Sequence, residues 1–203
     1  MEILVVIIFS YLSGSVPFGF LITKFSGKGD IRKIGSGNIG ATNVLRTGNK
    51  YLATITLLLD ILKGFAPVFV TLHYYDDLIQ LSCLITFLGH LFPVWLKFKG
   101  GKGVATYLGI LFALSIQLSF LFIFTWVVVS LIFKYSSLSS MFSSLTVFVV
   151  TLIKDTTLQS IAGEAVIGRD MKFILFIFFI LIIYSHRENI SKLKNKTEQK
   201  IKI

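Results

Sequence analysis

The stretch YLATITLLLDILKGFAPVFVTL, residues 51–72, decides the fold class, because it is long and apolar enough to cross a bilayer as one helix. A spanning helix needs about 20 mostly apolar residues, since no water inside the bilayer can satisfy open backbone groups. Two charged residues interrupt this stretch, Asp60 and Lys63, which lie three positions apart and can pair on one helical face. A structural ion pair and a role at a functional site are both compatible with that spacing.

Six further apolar runs lie on either side of it, at residues 3–23, 78–96, 104–115, 116–133, 138–153 and 171–184. The chain of 203 residues is 54% apolar and 15% charged, and its mean hydropathy of +0.81 is too high for a soluble domain. We therefore predict an all-α, polytopic integral membrane protein, a single domain over residues 1–203 with about seven transmembrane helices. Five or six spans are the alternative, because the run 104–115 is short and continuous with the next.

The 20 Lys and Arg residues outnumber the 10 Asp and Glu residues, and they are unevenly distributed. With seven spans, 16 of the 20 cations fall on one side, in residues 24–50, in residues 97–103, at Lys134 and in the tail. Cytoplasmic loops close to a membrane are enriched in Lys and Arg. The distribution predicts that both basic loops and the basic tail, residues 187–203, face the cytoplasm.

The composition also argues against several kinds of site. A single cysteine, Cys83, allows neither a disulfide framework nor a paired-cysteine redox site. Three histidines and ten acidic residues leave few ligands for a buried transition metal or for a metal–carboxylate enzyme. We therefore expect no metal and no cofactor.

The most informative loop is DIRKIGSGNIGATNVLR, residues 30–46, between the first two apolar runs. It combines three glycines, four neutral hydrogen-bonding residues and two arginines, namely Gly35, Gly37 and Gly40, then Ser36, Asn38, Thr42 and Asn43, then Arg32 and Arg46. Glycines let successive N–H groups point into one concavity, and guanidinium groups add cationic forks, so a phosphate or a developing oxyanion is the expected occupant. The alternative is a flexible turn whose basic residues lie on lipid headgroups.

A second loop, KFKGGKGVAT at residues 97–106, repeats this composition with Gly100, Gly101 and Gly103 around Lys102. The spacing of the Walker motif is absent, so nucleotide hydrolysis is not indicated. Three glycines around one lysine suggest an ammonium group held close to a ligand's phosphate, although an ordinary positive-inside loop would look similar. For His90, just before this loop, we expect a structural hydrogen bond rather than catalysis.

The tail HRENISKLKNKTEQKIKI, residues 186–203, begins with His186 and Asn189, which share one face if the segment is helical. Isoleucines and a leucine amid six cations are also typical of an amphipathic segment lying on anionic lipid. We expect the first turn to serve a site and the remainder to lie on the membrane surface.

Taken together, these motifs resemble one family, the bacterial acyl-phosphate glycerol-3-phosphate acyltransferases of the PlsY type. The matching stretches are GSVPFGFLI at 14–22, the loop 30–46, DILKG at 60–64, GHLFPVWLKFKGGKGVAT at 89–106 and HRENI at 186–190, in the family's order and spacing. The tail departs from the family at Lys192 and Lys196, where Arg and Gly are usual, whereas Glu198 and Lys200 fit. Residues 154–170 match no motif.

The resemblance implies transfer of a fatty acyl group from acyl phosphate to the 1-hydroxyl of glycerol 3-phosphate. The products would be lysophosphatidic acid and inorganic phosphate, in the first step of phospholipid synthesis at the bacterial inner membrane. It also implies membrane lipids as surroundings, no nucleic acid, and functional coupling to a soluble enzyme that forms acyl phosphate. The His-x4-Asp motif of the other large class of glycerol-phosphate acyltransferases is absent, since Leu78, Trp95 and Ser191 stand five positions after the three histidines.

On this resemblance we assign catalytic roles to four residues, Lys102, Ser36, Asn38 and His186. The residues expected to bind substrate are Gly35, Gly37, Gly40, Thr42, Asn43, Arg46, Gly100, Gly101, Gly103, Asn189 and a hydroxyl from Ser137 or Ser140. The proton acceptor stays open between His186 and a phosphate oxygen of the substrate, and the resemblance favours the substrate.

Three other functions compete with this interpretation. A transporter for an organic phosphate would place charges near the bilayer midplane and show an internal repeat, whereas the cations here lie in loops. A phosphatidyltransferase of the CDP-alcohol class would need several aspartates at helical spacing to hold a metal, and Asp60 has no such companions. Composition alone is compatible with a non-catalytic membrane scaffold, and only the large number of polar motifs in the chain argues against it.

Overall fold

The computed structural model describes residues 1–157 and 171–201, with side chains described up to residue 153 and from residue 171 onward. The described residues form helices joined by turns, without a strand, which confirms the all-α prediction. Most of the stretch 154–170, which matched no motif, lies outside the described residues. The chain divides into two compact units, Met1–Ala113 and Leu114–Ile203.

The first unit contains both predicted loops. Its helices are α1 (Glu2–Ser15), α2 (Phe18–Phe25), α3 (Ala41–Leu45), α4 (Lys50–Tyr74), α5 (Ile79–Leu91) and α6 (Val104–Leu114). Three short 3-10 turns lie between them, at Ile31–Lys33, Asp76–Leu78 and Val94–Leu96. The loop 30–46 therefore runs from the end of α2 through α3, and the loop 97–103 connects α5 with α6.

A proline separates α1 from α2. Val16 precedes Pro17 and has an extended backbone, with φ −62° and ψ 117°, because the proline ring disfavours a helical residue before it. The two helices meet at an angle of 42°. α4, by contrast, starts at a conventional cap, in which the Asn49 side chain accepts a hydrogen bond from the Leu52 N–H at 3.1 Å.

Glycines allow the helices of the first unit to approach closely. A Cβ at Gly14 in α1 would overlap the backbone of Thr86 in α5, and one at Gly64 in α4 would overlap the backbone of Thr106 in α6. Small residues at such crossings are typical of helix packing in membranes, where close backbone approach and van der Waals contact replace the hydrophobic effect.

The charged pair inside α4 makes structural contacts. Lys63 Nζ lies 2.8 Å from Asp60 Oδ1, and both side chains are almost fully buried. The same ammonium group donates a hydrogen bond of 2.6 Å to the carbonyl oxygen of Val16, at the break between α1 and α2. Of the two interpretations of this pair, the structural one therefore has a specific geometric basis.

The second unit consists of α7 (Ile116–Phe133), α8 (Ser136–Thr157), α9 (Lys172–Ser185) and α10 (Arg187–Lys194). A left-handed residue, Lys134 with φ 62°, ends α7 before the turn into α8. The tail folds back onto this turn, because the Ile201 N–H donates a hydrogen bond of 2.7 Å to the Lys134 carbonyl oxygen. The tail as far as Ile201 is therefore fixed to the protein at that point.

The multi-pass membrane character is confirmed, and the number of spans agrees with the alternative of five or six. Four segments of the described chain are individually long and apolar enough to cross, and two bent pairs, α1 with α2 and α9 with α10, raise the number to six. The predicted run 104–115 forms α6, which has only 11 residues. It ends there because Ser115 caps the next helix, accepting a hydrogen bond from the Leu118 N–H.

Candidate active site

Asn43 organises the glycine-rich loop. Its side chain is buried, and its Nδ2 group donates hydrogen bonds to the carbonyl oxygens of Ile31, Ile34 and Asn38 at 3.1, 2.9 and 2.8 Å. Its Oδ1 atom accepts a hydrogen bond of 2.9 Å from the Ser36 N–H. Asn43, predicted as a substrate ligand, therefore holds the two ends of the loop together.

The loop's backbone differs from the open nest of N–H groups that the glycines predicted. Gly35 and Gly37 do adopt positive φ angles, 55° and 72°, as glycines can without a Cβ clash. However, the Ser36 N–H is bonded to Asn43, and the Gly37 N–H donates to the Ile34 carbonyl oxygen at 3.0 Å. Because these two donors are used inside the loop, Ser36 can offer a ligand its hydroxyl but not its amide.

Arg46 lies beside the first of these glycines. A Cβ at Gly35 would overlap Asn43 Oδ1 and would crowd Cδ of Arg46, so the guanidinium stem crosses directly over the glycine backbone. Arg46 is half-buried at the end of α3, whereas Gly40 and Thr42 form the start of that helix. The loop thus brings together the Arg46 side chain and the Gly35–Ser36 backbone.

Arg32 is engaged elsewhere. Its Nε and Nη2 atoms donate to the Asp30 carboxylate at 2.9 and 2.7 Å, and its guanidinium group lies 4.9 Å from the centre of the Phe20 ring. The hydrogen bond from Arg32 lowers the pKa of Asp30 to about 2. Of the two arginines that flank the loop in sequence, Arg46 is therefore the stronger candidate for a ligand contact.

The first loop and the residue just before the second loop share one apolar cluster. Ile31, Ile39 and Val44 of the first loop pack with Ala53 of α4 and with Leu96, which directly precedes the second loop. On the other side of the first loop, Gly19 of α2 lies against Ile39, where a Cβ would overlap the carbonyl oxygen. Sequence reasoning used GSVPFGFLI only for the resemblance and missed this support.

The second loop is attached to the end of α5. The N–H groups of Gly100 and Gly101 donate to the carbonyl oxygens of Leu91 and His90 at 3.1 and 3.2 Å. These are carbonyl groups that the end of a helix leaves without helical partners. Gly103, with φ 81°, packs on the Phe87 ring. Lys102 is thereby held, half-buried, between two anchored glycines.

His90 packs against the backbone of this loop. Its side chain is buried, its Nδ1 atom lies 3.0 Å from Thr106 Oγ1, and a Cβ at Gly101 would overlap its Nε2 atom. The structural hydrogen bond expected for His90 is present, and its partner is the first-turn threonine of α6.

In the second unit, His186 and Asn189 are both buried where α9 passes into α10. His186 Nδ1 lies 2.8 Å from the Ile182 carbonyl oxygen, which can only accept, so this nitrogen carries a proton and Nε2 is the basic nitrogen of the neutral ring. Asn189 Nδ2 donates a hydrogen bond of 2.6 Å to Glu198. The tail residue Glu198 therefore orients Asn189.

The two candidate hydroxyl groups of α8 differ in their surroundings. Ser140 Oγ donates to the Ser136 carbonyl oxygen at 2.8 Å and accepts a hydrogen bond of 3.2 Å from Trp126 Nε1. Ser137 Oγ is buried and has no hydrogen-bond partner within the described residues. Because buried polar atoms normally have a hydrogen-bond partner, the unpartnered Ser137 hydroxyl is a better candidate than Ser140 for binding a ligand.

Among residues 1–157 and 171–201, no three His, Cys, Asp or Glu side chains come together as metal ligands would. In the first unit, the structure brings Ser36 and Arg46 into one loop and fixes Lys102 on a second loop, which begins one residue after Leu96 of the apolar cluster under the first. In the second unit it brings His186 and Asn189 to one helix junction.

A family model described as glycerol-3-phosphate acyltransferase matches residues 4–196. A glycerol-3-phosphate acyltransferase of Pelagibacter ubique is 54% identical over 204 residues, covering 100% of both chains. One of Mesorhizobium japonicum is 46% identical, covering 98% of this chain and 96% of the relative.

Two crystal structures of PlsY (YgiH), an integral membrane glycerol 3-phosphate acyltransferase, are similar over 100% of this chain and 96% of theirs. The glycerol 3-phosphate form has a TM-score of 0.88 and 36% identity, and the lysophosphatidic acid form has a TM-score of 0.86 and 34% identity.

Proposed function

Because the chain belongs to the glycerol-3-phosphate acyltransferase family, we propose that it acylates the 1-hydroxyl of glycerol 3-phosphate with acyl phosphate as the donor. The protein is a membrane acyltransferase that makes lysophosphatidic acid. The observation that carries the proposal for the site is the first loop, in which Asn43 closes the backbone and Arg46 lies over Gly35. This is a rigid, cationic and glycine-lined surface, suited to a phosphate group.

The donor proposal rests on the chemistry that the chain can supply. An acyl phosphate is a mixed anhydride, already activated, so the substrate hydroxyl can attack its carbonyl carbon directly. A bond forms between that carbon and the 1-hydroxyl oxygen, and the bond from the carbon to the phosphate oxygen breaks, releasing inorganic phosphate. Positioning and charge stabilisation then supply most of the acceleration, without a covalent enzyme intermediate.

For the first unit, we assign Lys102 to the developing oxyanion and the leaving phosphate. An ammonium group is well suited to this role, because it offers charge and several donors on one atom. The Ser36 hydroxyl, the Asn38 side chain and Arg46 bind phosphate oxygens. Gly35, Gly37, Gly40, Gly100, Gly101 and Gly103 keep the backbone close to the substrates. Thr42 contributes at the start of α3.

For the second unit, we assign His186 and Asn189 to substrate phosphate, together with the Ser137 hydroxyl. The bond from Nδ1 to Ile182 fixes the His186 ring, and Glu198 fixes Asn189. The proton released by the attacking hydroxyl passes either to His186 Nε2 or to a phosphate oxygen of the substrate. We favour the phosphate oxygen, which needs no further group.

We also propose that the basic loops and the tail face the cytoplasm, in the bacterial inner membrane. This orientation requires the short helix α6 to cross the bilayer as a seventh span, in addition to the six that length and composition alone support. Most cations of the chain lie in the basic loops and the tail, as expected for cytoplasmic loops. Phosphate-bearing, water-soluble glycerol 3-phosphate would enter from that side. The acyl phosphate would come from a soluble enzyme on the same side, because so activated a donor has to be made close to where it is used.

One assay tests the reaction and its donor. Purified protein is incubated with glycerol 3-phosphate and either palmitoyl phosphate or palmitoyl-CoA, with EDTA throughout, and inorganic phosphate and lysophosphatidate are measured. Product from acyl phosphate alone is the expected result. Product from the thioester alone would replace the donor, and a requirement for added magnesium would overturn the metal-free mechanism. Absence of product from both would favour the transport interpretation.

A further inference from the structure

A short turn between α5 and α6 exposes aromatic and cationic side chains side by side in sequence. We call residues 92–99, FPVWLKFK, the aromatic–lysine turn. Trp95 and Phe98 are 60% and 59% exposed, and Lys97 and Lys99 are exposed as well. Lys97, Phe98 and Lys99 begin the second loop, but none of these four residues has a role in the site described above, and nothing in the proposed reaction requires them.

The turn is well anchored. The N–H groups of Leu96 and Phe98 both donate to the Pro93 carbonyl oxygen, at 3.1 and 3.0 Å. The Trp95 indole Nε1 donates to Ser15 Oγ at 2.9 Å. In addition, the Tyr11 hydroxyl donates to the Phe92 carbonyl oxygen at 2.8 Å. Two bonds to α1 therefore hold the turn, and its exposed side chains are not the consequence of a loose loop.

The backbone of the turn is unusual where the exposed residues lie. Lys97 and Phe98 adopt left-handed conformations in succession, with φ angles of 52° and 60°. Residues with a Cβ rarely adopt this conformation, and a bulky residue such as Phe is among the least suited to it. Such strain persists where surrounding contacts enforce it, and it is concentrated at functional positions.

The location of the turn at the end of a span indicates what it meets. The candidate span Asp76–Leu96 ends within the turn, so Trp95 lies at its last residues and the lysines follow. Tryptophan is enriched at the headgroup level of membranes, where its ring is apolar and its N–H is satisfied. Lysines just beyond that level attract anionic headgroups.

The charge around the turn has a single sign in the sequence. The nearest acidic residues are Asp77 before it and Asp155 after it, so neither turn lysine has an acidic neighbour along the chain. The acidic residues Asp30 and Asp60 of the first unit form ion pairs with Arg32 and Lys63, and not with the turn lysines. A cationic and aromatic surface with these properties complements a ligand with an apolar chain and a negative headgroup.

We propose that the aromatic–lysine turn binds anionic phospholipid of the surrounding bilayer, with Trp95 and Phe98 among the chains near the headgroups and Lys97 and Lys99 on the lipid phosphate. The turn then gathers anionic lipid three to five residues before Lys102. This surface is separate from the acyl-transfer chemistry and remains testable even if the proposed donor is wrong.

Tryptophan fluorescence gives a direct test, because the chain has two tryptophans, Trp95 and Trp126. The Trp126→Phe variant leaves Trp95 as the reporter. It is reconstituted in two phosphatidylcholine bilayers that contain the same fraction of brominated lipid. The brominated lipid is phosphatidylglycerol in one bilayer and phosphatidylcholine in the other. We expect quenching by the brominated anionic lipid to be stronger by about twofold or more, and high salt to reduce the difference.

Substitution of the turn lysines tests whether their charge causes the difference in quenching between the two lipids. Lys97→Gln with Lys99→Gln, in the Trp126→Phe background, should equalise quenching by the two lipids. Lys28→Gln with Lys50→Gln removes the same charge from exposed positions on either side of the first loop and should preserve most of the difference. The Trp95→Phe variant, whose reporter is Trp126, should show no lipid preference.

Equal quenching by both lipids in the parent variant would overturn the proposal, as would a preference that survives the loss of both turn lysines. Strong quenching by aqueous acrylamide with little quenching by either brominated lipid would also overturn it. That result would place Trp95 in water and would point instead to a soluble protein partner.

Discussion

The backbone of Gly101 lies directly against the imidazole of His90, so closely that a Cβ on Gly101 would overlap Nε2. The carbonyl oxygen of His90 accepts a hydrogen bond from the Gly101 N–H, and its Nδ1 atom forms a hydrogen bond with Thr106 Oγ1. One buried residue thus fixes the loop that carries Lys102 from two directions. The position of the ammonium group depends on a contact that only glycine permits.

Gly101→Ala should therefore impair catalysis. The added methyl group must displace the loop or the His90 ring, and a shift of about 1 Å at a reacting group costs on the order of a hundredfold in rate. Steady-state kinetics with purified protein would measure the effect, with kcat falling more than KM rises. Gly29→Ala is the control for local backbone strain, because its φ of 74° also disfavours alanine, but the added methyl group meets nothing within 4 Å. Near-normal turnover of Gly101→Ala would show that the loop tolerates displacement.

Lys102→Ala should lower kcat on the order of a hundredfold or more, as expected for removal of one group that stabilises the oxyanion. Lys99→Ala, assayed in detergent, should retain near-normal turnover, because Lys99 is exposed on the same loop. A comparable loss in both variants would indicate that the loop contributes general positive charge rather than one positioned ammonium group.

Asn43→Ala should loosen the first loop. It removes the donor to three carbonyl groups, and each buried polar group left without a partner costs about 1–3 kcal/mol. We expect faster tryptic cleavage at Arg32, Lys33 and Arg46 together with a higher KM for glycerol 3-phosphate. Asn38→Ala should separate chemistry from structure, since Asn38 Oδ1 accepts a hydrogen bond only from the adjacent Ile39 N–H among the bonds described. It should reduce activity while cleavage stays close to that of the parent protein.

The buried pair in α4 can be tested by removing one charge or both. Lys63→Met leaves the Asp60 carboxylate buried without its partner, and such a loss costs about 3–5 kcal/mol. Thermal unfolding in detergent should show a large decrease in Tm. Asp60→Leu combined with Lys63→Met removes both charges and should recover much of the stability. Recovery of activity along with stability would establish a structural role, whereas a stable but inactive double variant would assign the pair to the site.

Cysteine labelling from either side of the membrane tests the proposed orientation. Cys83 is buried, so a Cys83→Ala background provides a chain without thiols. Lys28→Cys, just before the first loop, and Lys194→Cys in the tail should both resist a membrane-impermeant maleimide in intact cells and react after the membrane is opened. A tail that reacts in intact cells while the first loop does not would mean that α6 fails to cross the bilayer.

Much of this architecture could be predicted because its determinants are local. Apolar runs predicted the helices, and the glycines at 35 and 37 marked positions that indeed have positive φ angles. The division of residues 104–133 into a short and a long helix was less visible, since it depends on a single serine cap within a continuous apolar run. The site residues remain predictions for mutagenesis to test.

The roles of buried polar groups could not be predicted, because their partners come from distant parts of the chain. Asn43 looked like a ligand in a polar loop, yet its partners are carbonyl groups up to 12 residues away. Lys63 had an obvious neighbour in Asp60, but its second partner is the Val16 carbonyl oxygen, 47 residues earlier. Residue type indicated hydrogen-bonding capacity at both positions, and only the folded chain determines where that capacity is used.

The hydrogen bond from Lys63 to Val16 also has a consequence for biogenesis. α1 and α2 are synthesised and leave the ribosome before α4, so the kinked first segment enters the bilayer without the ammonium group that later contacts its break. α4, in turn, carries two opposite charges whose burial is completed by the earlier segment. The two segments are therefore expected to leave the translocon as a pair, and insertion of α4 should depend on α1 and α2 being already in place.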